Sequence, residues 1–185
     1  MDLLKKTLKA SAIGAITASL AFGVLDAKAE TAGTTITATV QNAFTFTETT
    51  ALTFGTIIAV NDATDTSTIV MNTAGTPAYN NPGAARLTEV VAGTNGVFDI
   101  TAAAPSAGID VTYPASVTLS CGTCSGSQED FTVNTFTDNS VAGTVTTDGA
   151  GAFTINVGAT LTTINSANAY EDGAYSGAFT VTANY

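Results

Sequence analysis

The chain has 185 residues, with 15 acidic and 5 basic side chains, no histidine, and 45% hydrophobic content. Its formal charge of −10 argues against nucleic acid and anionic lipid surfaces as partners, because both are held by clustered cations. With no histidine, and Arg86 the only Lys or Arg after Lys28, the usual base and oxyanion partners of a Ser or Thr nucleophile are missing, so an enzyme is not expected.

In chain order, residues 1–29 read as a cleaved signal peptide. Lys5, Lys6 and Lys9 make a positive start, Ala10 to Leu25 is apolar or small, and Ala27-Lys28-Ala29 fits the small-x-small cleavage pattern. The apolar run is shorter than the ~20 residues a spanning helix needs. The expectation is export to the cell surface or medium, with no membrane span after cleavage. The mature part, residues 30–185, has the length of one domain. It keeps Arg86 against 13 carboxylates, a formal charge of −12, and threonine supplies 34 of its 156 residues. That much threonine, with Val, Ile and Phe and few charges, favours strands over helices.

Residues 30–41 carry Ile36, Ala38 and Val40 in alternation with Thr. At about 3.3 Å per residue the segment spans roughly 40 Å, the length of a sandwich. It reads either as the first strand of its own sheet or as a strand donated to another copy. Next come strands in "AFTFT" and "ALTFGTIIAV", a loop in "NDATDTS", a strand in "STIVMN", and a long Pro- and Asn-containing connection through "TAGTPAYNNPGAA". "RLTEVV", Asn95-Gly96 and "VFDITAA" have the form of a hairpin. "IDVTY", "SVTLS", "DFTVNTF" and "AFTINVGATLTT" follow, with a turn at Asp148-Gly149. The final "AYSGAFTVTANY" alternates Phe179, Val181, Ala183 and Tyr185 with polar residues. Many short strands, close turns and no helical period predict an all-β, immunoglobulin-like sandwich of antiparallel strands.

Few residues suggest chemistry. Cys121 and Cys124 in "SCGTCSG" are expected to pair in an oxidising compartment and stiffen a loop. A redox role would need a helix N-terminus there, and zinc would need two carboxylates as further ligands. Asp62 and Asp65 in "NDATDTS" are the weak calcium candidates; like Glu129-Asp130 and Glu171-Asp172 they also fit a solvated turn. Adjacent carboxylates on a strand point to opposite faces, which does not favour a glycosidase pair. Tyr79, Tyr113, Tyr170 and Tyr175 fit either a sugar-binding surface or the edge of a core. No nucleotide, cofactor or glycosylation motif occurs.

Three motifs carry a resemblance: Phe54 to Ile57 ("FGTI"), Gly158 to Leu161 ("GATL") and Gly173 to Tyr185 ("GAYSGAFTVTANY"). Together they resemble the bacterial domain-of-unknown-function family 4402, over nearly the whole mature chain. The ending is also distantly similar to that of chaperone–usher pilin subunits and spore-coat-U-like proteins, with Gly173 and Tyr185 twelve positions apart. This second resemblance implies a pilin-like sandwich lacking one strand. A periplasmic chaperone, and then the N-terminal extension of another copy, would fill the gap beside the C-terminal assembly strand. The functional expectation is thus a structural or adhesive surface subunit that assembles by strand donation. The alternative is a self-complete secreted binding module for calcium or glycan.

Overall fold

The computed structural model describes residues 33–38, 40, 43–124 and 129–185; the leader lies outside them. The chain divides between residues 39 and 40 into two units. In the first, residues 33–38 hold no helix or strand. The second unit contains every strand and, among the described residues, no helix.

Thirteen strands follow one another: β1 (Thr45–Thr50), β2 (Thr56–Val60), β3 (Thr68–Met71), β4 (Pro77–Asn80), β5 (Arg86–Val91), β6 (Gly96–Thr101), β7 (Gly108–Thr112), β8 (Ser116–Cys121), β9 (Phe131–Asp138), β10 (Thr144–Thr146), β11 (Phe153–Thr162), β12 (Tyr175–Ser176) and β13 (Thr182–Asn184). All pairings are antiparallel. One large sheet runs β1-β6-β11-β9-β8-β12, with β3 and β4 added on the β6 side of β11. The opposing layer consists of two small sheets, β10-β7-β13 and β2-β5.

The ten residues of β11 organise both halves. Its first half pairs β6 and its second half pairs β3, while β9 lines the other edge. Inward residues alternate with Thr154, Asn156, Gly158, Thr160 and Thr162, the pattern of a sheet with one core face. Ile155 and Val157 enter a core with Phe98, Ile100, Ile109, Val111 and Val145, between the large sheet and β10-β7-β13. Ala159 and Leu161 enter a second core with Ile69, Leu87, Phe131 and Val133, under β2-β5.

Chain crossing from one layer to the other occurs at Gly55. It takes φ +73° and its backbone rests against Val91, where a Cβ would lie 2.0 Å from the carbonyl oxygen. Only glycine tolerates that approach, so "FGTI" is the bend that carries β1 of the large sheet into β2 of the small one.

The structure departs from the sequence reading in four places. Asn95-Gly96 is not a hairpin turn: Gly96 opens β6, and β5 and β6 belong to different sheets. The "TPAYN" part of the long connection is a strand, β4, at the edge of the sheet. Its proline sits at the first position, where the missing N–H costs no ladder bond. The three-residue β10 was not legible as a strand. The final alternating stretch is broken into β12 and β13, with residues 177–181 unpaired between them.

Candidate functional site

The opposing layer is interrupted. Among the described residues β2 pairs only with β5, and β13 pairs only with β7. Between the edge of β2 and residues 170–179 lies a cleft of about 860 Å³. Its floor is the second core: Val117 and Leu119 of β8, Phe131 and Val133 of β9, and Leu161 of β11.

One wall is residues 52–59, with Leu52, Phe54, Ile57 and Ala59 packed on that core. The other begins as an arch over residues 170–175. Tyr170 stacks on Phe131 with ring centroids 4.0 Å apart, and Tyr175 meets Phe131 edge-on at 5.0 Å. The Tyr175 hydroxyl accepts from the Glu171 N–H and donates to the Glu171 carbonyl, both at 3.1 Å. Burial pushes the Tyr170 phenol up to about 12, against a hydrogen bond from the Ile164 N–H that lowers it. The same wall then breaks from β8. At Gly177 a Cβ would lie 2.3 Å from the Thr118 carbonyl oxygen, and past this crossing residues 177–181 have no ladder until β13 joins β7.

The walls run in opposite directions. Phe44, just before β1, meets Tyr185 edge-to-face at 5.3 Å. At the far end Asn61, just after β2, donates its side-chain amide to the Asn168 carbonyl, and the Ser166 N–H bonds the Asp62 carbonyl at 3.2 Å.

The candidate residues of the C-terminal strand lie along this structure. Gly173 and Phe179 line the cleft, and Phe179, Val181 and Ala183 also pack on the first core. The Tyr185 hydroxyl accepts from the Ala104 N–H at 2.9 Å. Cys121 and Cys124 form the expected disulfide, with Cα atoms 5.5 Å apart, beside Gly173. Of the candidate donor residues, Ile36 and Val40 are exposed, and neither they nor Ala38 lie in a strand.

The acidic loop engages itself. Asp62 Oδ1 accepts from the Thr64 hydroxyl at 2.6 Å and from the N–H groups of Thr64 and Asp65, bonds that hold the carboxyl below its usual range. The Asp65 carboxylate lies against Gly83. Glu129 accepts from the Ser166 hydroxyl and from the Asn168 amide, which likewise lower it. Among the described residues no group of three or more His, Cys, Asp or Glu is placed to hold a metal ion, and no helix is long and apolar enough to cross a membrane.

Residues 44–185 match the family described as Domain of unknown function (DUF4402). The chain belongs to that family. The DUF4402 match begins at Phe44 and ends at Tyr185, so it takes in both walls and the floor of the cleft and leaves out residues 33–40. No curated protein and no solved structure matches the chain.

Periodicity does not reveal the cleft; a gap beside the C-terminal strand is expected only from the resemblance of the ending to pilin subunits. Alternation in β8, β9 and β11 identifies Val117, Leu119, Val133 and Leu161 as inward-facing, but it says nothing of which inward residues lie under the cleft.

Proposed function

We propose that this chain is an exported structural subunit of a surface assembly, and that residues 34–40 of one copy fill the cleft of another. The observation that carries this reading is the interrupted layer: β2, paired with β5 on one side, borders on its other side a cleft floored by apolar side chains, and past Gly177 the facing wall carries no ladder. Unpaired strand edges invite addition of another strand. A strand there would extend β5-β2 by one strand. The seven residues of "TTITATV" span roughly 23 Å when extended. Placing Ile36 and Val40 on the floor would each contribute about 1.5–3 kcal/mol from burial, while the intervening threonines face water. The leader-like residues 1–29 and the resemblance of the ending to chaperone–usher subunits support the same reading.

The test is a denaturing gel of the chain from residue 30, loaded unheated and boiled. A ladder that collapses to one band on boiling is expected. Ile36→Asp would place a carboxylate on the apolar floor and should abolish the ladder while leaving the far-UV spectrum of the domain unchanged. A single monomer band for the unmodified chain in both lanes overturns the proposal.

A further inference from the structure

The Cys121–Cys124 disulfide stands next to the cleft, and its position is unusual for a loop staple. Cys121 is buried and is the residue opposite Tyr175 in the β8-β12 ladder. Across from it, Gly173 at the top of the arch rests on both sulfurs. A Cβ on Gly173 would lie 2.6 Å from Cys121 Sγ and 2.9 Å from Cys124 Sγ. The neighbouring Gly122, inside the disulfide loop, has nothing within 4 Å of the same position. The contact is therefore directed at the arch and not a general feature of the loop.

Gly173 shares the arch with Tyr170 and Tyr175, whose rings pack on Phe131 and form that end of the cleft wall. We infer that the Cys121–Cys124 disulfide, through its contact with Gly173, positions the 170–175 arch as a wall of the cleft, so that the cleft accepts a strand only in the oxidised chain. This rests on the strand-accepting reading above. Reduction by a dithiol moves two electrons and two protons onto the sulfurs; the S–S bond breaks, two thiols form, and the dithiol becomes a disulfide. Two unbonded sulfurs need more room than a bonded pair, and Gly173 occupies the space on the arch side. The arch must lift or Cys124 must swing away, and either removes the support beneath it. A dithiol oxidase in the compartment reached after export would run the step in the other direction, making assembly competence follow export.

The experiment measures binding of a fluorescein-labelled peptide, TAGTTITATVQ (residues 31–41), to the chain from residue 30 carrying Ile36→Asp, which keeps its own segment out of the cleft. Fluorescence anisotropy is read with the acceptor oxidised and after reduction by dithiothreitol, thiols being counted by mass after alkylation. The expected result is affinity lower by about tenfold or more on reduction. Gly173→Ala keeps the disulfide and so separates arch position from redox state and from any loss of fold on reduction. It should weaken the peptide by a similar factor with an unchanged far-UV spectrum, whereas Gly122→Ala should bind as the parent does. Equal binding by oxidised, reduced and Gly173→Ala chains overturns the positioning role and leaves strand acceptance standing. No binding by the oxidised parent overturns both.

Discussion

Tyr79, Tyr113 and Tyr170 make alkaline stability a property of individual side chains. Burial, and then the 2.7 Å bond it donates to Glu89, push Tyr79 up to about 12. Tyr170 is pushed to about 12, chiefly by burial. Tyr113 is displaced further upward by burial and by its bond to Asp138. In the unfolded chain a phenol titrates near 10, so the folded state holds these protons more tightly. Their contribution is complete below about pH 10 and is lost as pH rises through about 12. The urea midpoint should hold from pH 7 to about 9.5 and then fall, and Tyr170→Phe should shrink the fall; a flat midpoint to pH 12 would contradict the assignment. At acid pH the sign reverses. Asp148, held low by bonds from the N–H groups of Ala152 and Ala150, stabilises the fold above the ordinary carboxylate range, and this is lost as pH drops through its lowered folded value. Thr135 sits at φ +52°, a left-handed conformation that a β-branched residue resists and asparagine tolerates. Thr135→Asn should gain up to about 1 kcal/mol in urea unfolding; a loss would mean that the threonine side chain is needed at that point of β9.

The elements differ in how far they could be read. β11 was legible throughout, because ten residues of alternation leave its faces unambiguous, and Leu161 beneath the cleft is 1% exposed. Leu161→Ala should cost about 2–5 kcal/mol by chemical denaturation, and a loss below about 1 kcal/mol would mean that the floor is already solvated. β4 was hidden because proline and asparagine mark loops, and an edge strand with a proline at its first position escapes that rule. Asn95-Gly96 misled for a different reason. A hairpin signal is local, whereas the partners of β5 and β6 lie in separate sheets, and β2 and β11 win over the chain neighbour. The final stretch reads as one strand by alternation, and the burial of Phe179, Val181 and Ala183 follows it. The break at Gly177 comes from its close approach to Thr118, a contact 59 positions away that no period encodes. Periodicity gives no sign of the cleft for the same reason, and only the resemblance of the ending to pilin subunits leads to the expectation of a gap.

At the scale of the whole molecule, the two walls give the cleft a direction. Phe44 and Tyr185 mark one end, and the Asn61–Asn168 contact marks the other, so the segment preceding β1 leaves the domain beside Tyr185. A strand from a second copy that lies parallel to residues 170–185 would bring the two Tyr185 ends face to face. Each copy would then fill the other, and the exchange would close as a twofold pair. A strand lying the opposite way would set the Tyr185 end of one domain against the Asn168 end of the next. Every copy would then present the same free cleft again, and the contact would never close. Light scattering across a dilution series separates the two: a mass fixed at two copies for the parallel strand, and a mass growing with concentration for the reverse. One aromatic contact between the residue before the first strand and the residue after the last therefore makes the polarity of a seven-residue segment the choice between a finite particle and a fibre.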